Sequence, residues 1–249
     1  MNNKTVIVCG TFELIEAISK KIIESSESVV FICSDEPKNK YIESIKINYV
    51  KNQEEAENLI FKNSQTKEDF LVSCYWPWKF SKKIVNKFQK HSLNFHPSPL
   101  PKDRGWYPHV HQIRNNNDSG VTLHVIDEKL DSGEIWKQKK VKLNFPLTAG
   151  EAHEVLKTEI ISLFNENWNN IFKSKIKTIP QKEDGNFYSK YLLPTPEIIT
   201  IEENSKEDKI IRKIASRNFS NTSFVKIKIN DEIEKYVHIS FSDNGNIEE

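Results

Sequence analysis

The chain has 249 residues, 37% of them apolar, with 36 basic side chains against 35 acidic ones. That length suits one large α/β domain with a small appendage, able to bury its apolar surface without disulfides or metal. A net charge of +1 argues against a nucleic-acid substrate, because gripping a polyanion takes a clear basic excess.

No apolar run reaches the ~18 residues of a membrane span. The N-terminus opens into a strand-like run and lacks the apolar core of a secretory signal. A cytoplasmic protein is therefore expected. In chain order, residues 5–9, 29–33, 45–50, 70–74 and 92–95 form short apolar runs that predict strands. Leu14, Ile15, Ile18 and Ile22 repeat at helical spacing over residues 13–23, and Ile84, Val85 and Phe88 mark a shorter helix. The cysteines, Cys9, Cys33 and Cys74, each sit near the end of a candidate buried strand, where a thiol serves as small apolar filler. Strands separated by helix-length segments imply right-handed crossovers and a Rossmann-like, mostly parallel sheet. Ligands of such sheets bind beyond the carboxyl ends of the strands.

The pattern then changes. Residues 120–126 and 134–143 are strand-like and joined by a polar loop, 127–133. Thr148 and Glu151 form a capping box. It opens a long helix with an apolar stripe of Leu156, Ile160, Leu163, Phe164, Trp168 and Ile171, which should pack across the sheet. Residues 184–188 read as a loop, and Leu193-Pro-Thr-Pro196 breaks regular structure. The expected division is a catalytic domain over 1–193 and a C-terminal unit over 194–249. That unit has a helix near 206–215 and a β-hairpin of 224–229 and 234–241 around Asn230, Asp231 and Glu232. A unit this small has a marginal core. Its apolar hairpin residues, Val225, Ile227, Ile229, Val237, Ile239 and Phe241, predict a homodimer.

Chemistry concentrates in residues 93–101. Asn94 and His96 are two apart at a strand's carboxyl end and so share one face. Pro97 and Pro99 stiffen the exit. An imidazole can take a proton near neutral pH, and an amide can donate to a developing oxyanion. Asp131, in the polar loop, is the candidate carboxylate to orient the imidazole. The alternative on spacing alone is that Asn94 caps a turn and His96 is a buried core residue. His109-Val-His111 lacks a third ligand at suitable spacing, so no metal is expected. Gly10-Thr11-Phe12-Glu13 lacks the glycines of a dinucleotide fingerprint.

The string Asn94-Phe95-His96-Pro97-Ser98-Pro99-Leu100-Pro101, then Arg104-Gly105, then Asp131-Ser132-Gly133, resembles the folate-dependent formyltransferase family. The resemblance covers roughly residues 1–190. It implies transfer of a formyl group from 10-formyltetrahydrofolate to an amine, with Asn94, His96 and Asp131 as the catalytic set. The continuation Trp106-Tyr107-Pro108-His109 and the small C-terminal unit are similar to the sugar N-formyltransferase branch. That similarity implies a dTDP-linked amino sugar made for O-antigen and lipopolysaccharide biosynthesis: dTDP-4-amino-4,6-dideoxyglucose, with the 3-amino isomer as rival. Trp78, Lys79, Phe80, Asp127, Glu128 and Lys129 are expected around the pterin. Trp76, Gly105, Trp106, Tyr107, Pro108 and His109 are expected at the acceptor, with Gly10, Thr11 and Phe12 edging the cleft and Gln181 and Lys182 facing thymine or phosphate. Other acceptors, methionyl-tRNA or glycinamide ribonucleotide, keep the chemistry. A non-catalytic nucleotide-binding module would not need the intact Asn94, His96 and Asp131.

Overall fold

The structure is a computed structural model that describes residues 4–182, 185–201, 206–229 and 233–241. Its first part alternates as the apolar runs predict: β1 (Thr5–Gly10), α1 (Phe12–Ile23), β2 (Ser28–Cys33), β3 (Tyr41–Ile42), β4 (Ile45–Tyr49), α2 (Gln53–Asn63), β5 (Phe70–Cys74), α3 (Lys82–Phe88) and β6 (Ser92–His96). Then follow β7 (Arg104–Gly105), α4 (Pro108–Asn115), β8 (Gly120–His124), β9 (Ile135–Lys140) and α5 (Ala149–Phe172). Eight strands form one sheet in the order β3-β4-β2-β1-β5-β6-β8-β9.

The five strands β4, β2, β1, β5 and β6 run parallel, while β3, β8 and β9 pair antiparallel with their neighbours. Helix-length connections allow the parallel crossovers; the loop between β8 and β9 is too short for one and turns back instead. The winding reverses between β1 and β5, which opens a crevice at the carboxyl ends of the central strands.

Two apolar layers cover the sheet. One holds Leu14, Ile18, Leu156, Ile160, Phe164 and Trp168 from α1 and α5; the other holds Ala56, Ile60, Ile84 and Phe88 from α2 and α3. The capping box forms as expected, with the Thr148 hydroxyl accepting from the Glu151 amide and the Glu151 carboxylate accepting from the Thr148 amide. The three cysteines are buried free thiols. No helix among the described residues is long and apolar enough to cross a membrane.

The remaining elements are β10 (Phe187–Tyr188), β11 (Glu197–Thr200), α6 (Glu207–Ala215), β12 (Asn218–Phe219), β13 (Thr222–Ser223), β14 (Val225–Ile229) and β15 (Ile233–Tyr236). The hairpin exists as β14 and β15, with Lys226 opposite Tyr236, although its pairing stops short of the expected residue 241. The turn residues Asn230, Asp231 and Glu232 lie outside the described residues, as does Asp184. Not expected among these were β11, which adds a third strand parallel to β14, the pairing of β10 with β7, and the short β12–β13 pair.

The hairpin's inner apolar face meets its own chain. Val225 is buried with Ile199 and Ile214, and Ile210, Ile227, Val237 and Ile239 pack around them. The amphipathic α6 thus supplies the cover that the sequence reading sought in a second subunit. The unit also grips the main sheet's helices. Ala215 packs with Val110, Ile113, Ala149 and Ala152, and the guanidinium of Arg114 in α4 donates to the Glu197 carboxylate at 2.7 Å.

Candidate active site

Strand register assembles the polar centre. On β6, Leu93 and Phe95 belong to the α1/α5 core, so Asn94 and His96 point to the other face. Ser73 of β5 and His124 of β8 are the register partners of Asn94 on either side. The Ser73 hydroxyl donates to Asn94 Oδ1 at 2.7 Å. Asn94 Nδ2 lies 3.0 Å from His124 Nε2, while His124 Nδ1 is 2.8 Å from the Val125 carbonyl. A carbonyl only accepts, so Nδ1 carries the His124 proton and Nε2 accepts from the amide. Asn94 is thereby oriented at both ends. Its second amide hydrogen is only loosely taken, by Asp131 Oδ1 at 3.4 Å.

His96 Nε2 lies 2.8 Å from the Asp103 carbonyl, so it carries the ring proton. Nδ1 then bears the lone pair and faces Asp131 Oδ2, 3.5 Å away, with no proton between them. The tautomer is therefore set by a backbone carbonyl rather than by Asp131, whose place is beside the nitrogen that can gain a proton.

The β8–β9 loop brings Asp131 to the centre in a left-handed conformation, φ 53°. Its Oδ2 accepts from the Gly105 amide at 2.9 Å, and its carbonyl accepts from Gln181 Nε2 at 3.0 Å. The same Gln181 nitrogen donates to the Gly133 carbonyl at 2.8 Å. Both glycines of the sequence motif are steric requirements. A Cβ on Gly133 would stand 1.9 Å from the Val125 carbonyl oxygen. Gly105, at φ +91°, would place one 2.3 Å from the Tyr188 oxygen.

Burial alone would raise the Asp131 carboxyl. Its neighbours His96 and His124 and the Gly105 amide outweigh burial and hold it well below the ordinary carboxylate range. Burial pushes His96 down, against the opposing pull of Asp131. Near neutral pH the centre is an ionised carboxylate beside a neutral imidazole.

This centre lines a cavity of about 540 Å³. Tyr75, at φ +55°, bends the chain after β5. As a result, Tyr75 packs with the α1/α5 layer while Trp76, Trp78 and Phe80 pack with the α2/α3 layer. One wall is aromatic: Trp76 lies parallel to Phe80 with centroids 6.1 Å apart and meets Trp78 edge-on at 5.0 Å.

Of the residues expected around the pterin, Trp78, Lys79, Phe80 and Asp127 line the cavity; Glu128 and Lys129 do not, and Glu128 instead pairs with Lys82 at 3.1 Å. Of those expected at the acceptor, Trp76, Gly105, Trp106, Tyr107, Pro108 and His109 line it. Gly10, Thr11 and Phe12 lie outside the lining, packed against Cys74 and Asp35. Gln181 acts beneath the Asp131 loop, and Lys182 is exposed outside the lining. Sequence reasoning missed Ser73, Tyr75, His124 and His153, all on the lining. Register could have found Ser73 and His124, once the flanking strands of β6 were known.

A profile of the formyl transferase family matches residues 3–164. Among curated proteins, the methionyl-tRNA formyltransferase of Mycoplasmopsis pulmonis is 27% identical over 219 residues, 82% of this chain and 74% of that protein. The methionyl-tRNA formyltransferase of Finegoldia magna is 28% identical over 128 residues, covering 50% of this chain but only 40% of that protein. Among solved structures, a 4-N formyltransferase from Francisella tularensis superposes with a TM-score of 0.84 at 23% identity, covering 98% of this chain and 100% of that one. An N-formyltransferase from Helicobacter canadensis, solved with folinic acid and dTDP-3-aminofucose, gives 0.69 at 22% identity, covering 92% and 85%. With more than half of its length matched and the motif residues gathered at one cavity, this chain belongs to the formyl transferase family.

Proposed function

We propose that the chain transfers a formyl group from 10-formyltetrahydrofolate to the amine of a dTDP-linked amino sugar, dTDP-4-amino-4,6-dideoxyglucose, in O-antigen biosynthesis. The observation that carries the reaction is the convergence of Asn94, His96 and Asp131 at one cavity, with Asp131 within 3.5 Å of both side chains. The choice of a sugar acceptor is supported by likeness to the Helicobacter canadensis N-formyltransferase solved with dTDP-3-aminofucose, and the 4-amino position by end-to-end likeness to the Francisella tularensis 4-N formyltransferase, at fold-level identities of 22% and 23%. The near-zero net charge also favours it over a tRNA acceptor.

In this reading the aromatic wall of Trp76, Trp78 and Phe80 receives the pterin, with Lys79 and Asp127 at its rim. The neutral amine attacks the formyl carbon and the C=O π pair moves onto oxygen. Asn94 Nδ2, held by Ser73 and His124, donates its loosely held hydrogen to that oxyanion. The attacking nitrogen's proton passes to His96, and the resulting imidazolium is stabilised by Asp131. Collapse re-forms C=O and breaks the bond to N10 of the folate, which takes up the proton. The amine and His96 must both start neutral, so turnover rises with pH across the acidic range.

The division at residues 193/194 and a homodimer belong to the same reading. The dimer surface is then the outer face of the three-stranded sheet, where Ile198 and Tyr236 are exposed and fall in one register row. Sedimentation of a monomer at micromolar concentration rejects the dimer. A panel assay with 10-formyltetrahydrofolate and 4-amino or 3-amino dTDP sugars, methionyl-tRNA and glycinamide ribonucleotide tests the acceptor. Turnover with methionyl-tRNA alone overturns the sugar assignment.

A further inference from the structure

The cavity's second wall is chemically unlike the first. Tyr75 comes from the bend after β5, His109 from the first turn of α4 and His153 from α5. Their rings stand in a row: Tyr75 to His153 is 5.4 Å between centroids, and His153 to His109 is 5.1 Å. Behind them Phe219, from the C-terminal unit, meets His109 edge-on at 5.7 Å.

The Tyr75 hydroxyl and both ring nitrogens of His109 are buried without a hydrogen-bond partner among the described residues. Buried donors and acceptors of this kind are costly to leave unmet and call for a polar partner. Burial, with His153 and His111 adding to it, pushes His109 down to about 3, so its ring is neutral and presents one donor and one acceptor. Such a wall matches groups that both donate and accept, and it does not repel an amine.

Resting on the function proposed above, we propose that Tyr75, His109 and His153 form the acceptor-recognition wall, which selects the hexose ring by hydrogen bonds to the C3 hydroxyl beside the reacting C4 amine and to the C2 hydroxyl next to it. The pterin and the sugar then enter from opposite faces of the sheet and meet over Asn94. This wall, rather than the catalytic centre, decides which amino sugar is formylated. The C-terminal unit takes part through Phe219, which backs the His109 ring.

The test uses the full chain and the variants Tyr75→Phe and His153→Asn. The first keeps the ring and removes only the hydroxyl; the second changes a half-buried side chain on a long helix. Binding of dTDP-4-amino-4,6-dideoxyglucose, of dTDP alone and of tetrahydrofolate is measured by titration calorimetry, alongside melting temperatures. Each variant should lose about tenfold in affinity for the sugar nucleotide, the size of one or two neutral hydrogen bonds. Affinity for dTDP and for tetrahydrofolate should stay within twofold of the parent. A matching rise in the sugar's KM, with the folate's KM unchanged, is expected in turnover.

Equal loss of dTDP or tetrahydrofolate affinity makes the wall a structural support and overturns the inference. Unchanged sugar affinity in both folded variants also overturns it, while leaving the proposed function intact. A parent protein that binds tetrahydrofolate but no amino-sugar nucleotide, with 3-amino dTDP and UDP sugars also tried, overturns both.

Discussion

The carboxyl edge of the large sheet and the small C-terminal sheet use strand register for different ends. At the large sheet's edge, register sets polar side chains abreast: Ser73, Asn94 and His124 fall in one row across β5, β6 and β8. Each is bonded to the next, and loops from residues 103–105 and 131–133 close over them. In the C-terminal sheet, register sets Ile199 beside Ile227 on the face that also holds Val225, and Ile210 and Ile214 of α6 cover them. The first arrangement holds the Asn94 amide where, in the proposed reaction, charge develops. The second yields a packed unit that positions Phe219 against the cavity and leaves an outer face open. Geometry at the large edge depends on several partners per residue, whereas coverage in the small sheet depends on one helix and the ion pairs of Arg114 and Arg217 with Glu197.

Substitutions at the large edge should therefore cost chemistry, and those at the small sheet should cost stability. The largest effect is expected for Asn94→Ala and His96→Ala. Loss of an oxyanion donor or of the proton acceptor costs about 3–4 kcal/mol in barrier, so turnover should fall at least about a hundredfold. Melting temperatures should stay near the parent's. Near-parental turnover in a folded Asn94→Ala protein would remove the amide from the mechanism.

Glu197→Gln probes the other side of the comparison. Arg114 donates to both oxygens of this buried carboxylate, and Arg217 stands 3.8 Å away. Removing the charge strands two guanidinium groups, and denaturant unfolding should show a loss of about 3 kcal/mol. The sugar's KM should rise with it if the C-terminal unit backs the recognition wall. An unchanged unfolding midpoint would show that the unit is held mainly by its apolar contacts.

A smaller effect is expected for Ser73→Ala. One neutral hydrogen bond that orients Asn94 is lost, worth about 1 kcal/mol, so kcat/KM should fall about fivefold with little change in stability. A hundredfold loss would mean that Ser73 itself touches the reacting groups.

The smallest effect is the slope of stability with pH. His109 is lowered to about 3 and His111 to about 4 from 6.5, burial being the first cause for both. The folded state keeps these rings neutral while the unfolded chain takes protons below its own value. Their contribution is complete above pH 6.5 and is lost as pH falls towards the folded values. The depressed Asp131 adds a further loss only in the carboxylate range. The melting temperature should therefore fall between about pH 6.5 and 4.5, and less steeply in His109→Gln. Equal slopes in the two proteins would place the titrating groups elsewhere.

Much of the fold was legible in the residues themselves. Period-2 and period-3.6 patterns located the parallel strands, α1, the capping box of α5 and the hairpin within a few residues. The short, weakly apolar elements were not legible. α4 carries two histidines and a glutamine on buried positions, so no apolar stripe marks it. β7 and β10 are two residues each and exist only because they pair with one another.

The candidate triplet Asn94, His96 and Asp131 was legible because Asn94 and His96 share a strand face, Asp131 lies in the polar loop after a strand, and the motifs around all three resemble one family. What the amino-acid sequence determined alone is the local: which runs are strands or helices, where they cap, and which residue types can move a proton or hold an oxyanion. Tertiary structure alone decided the rest. It set which nitrogen of His96 is free, since that depends on a carbonyl seven residues away. It set that Ser73 and His124 clamp Asn94, which follows from sheet order. It set that Tyr75 and Trp76, adjacent in the chain, serve opposite walls, because a single left-handed residue turns them apart. Register, sheet order and backbone handedness are properties of the packed chain, and hydrophobic periodicity does not encode them.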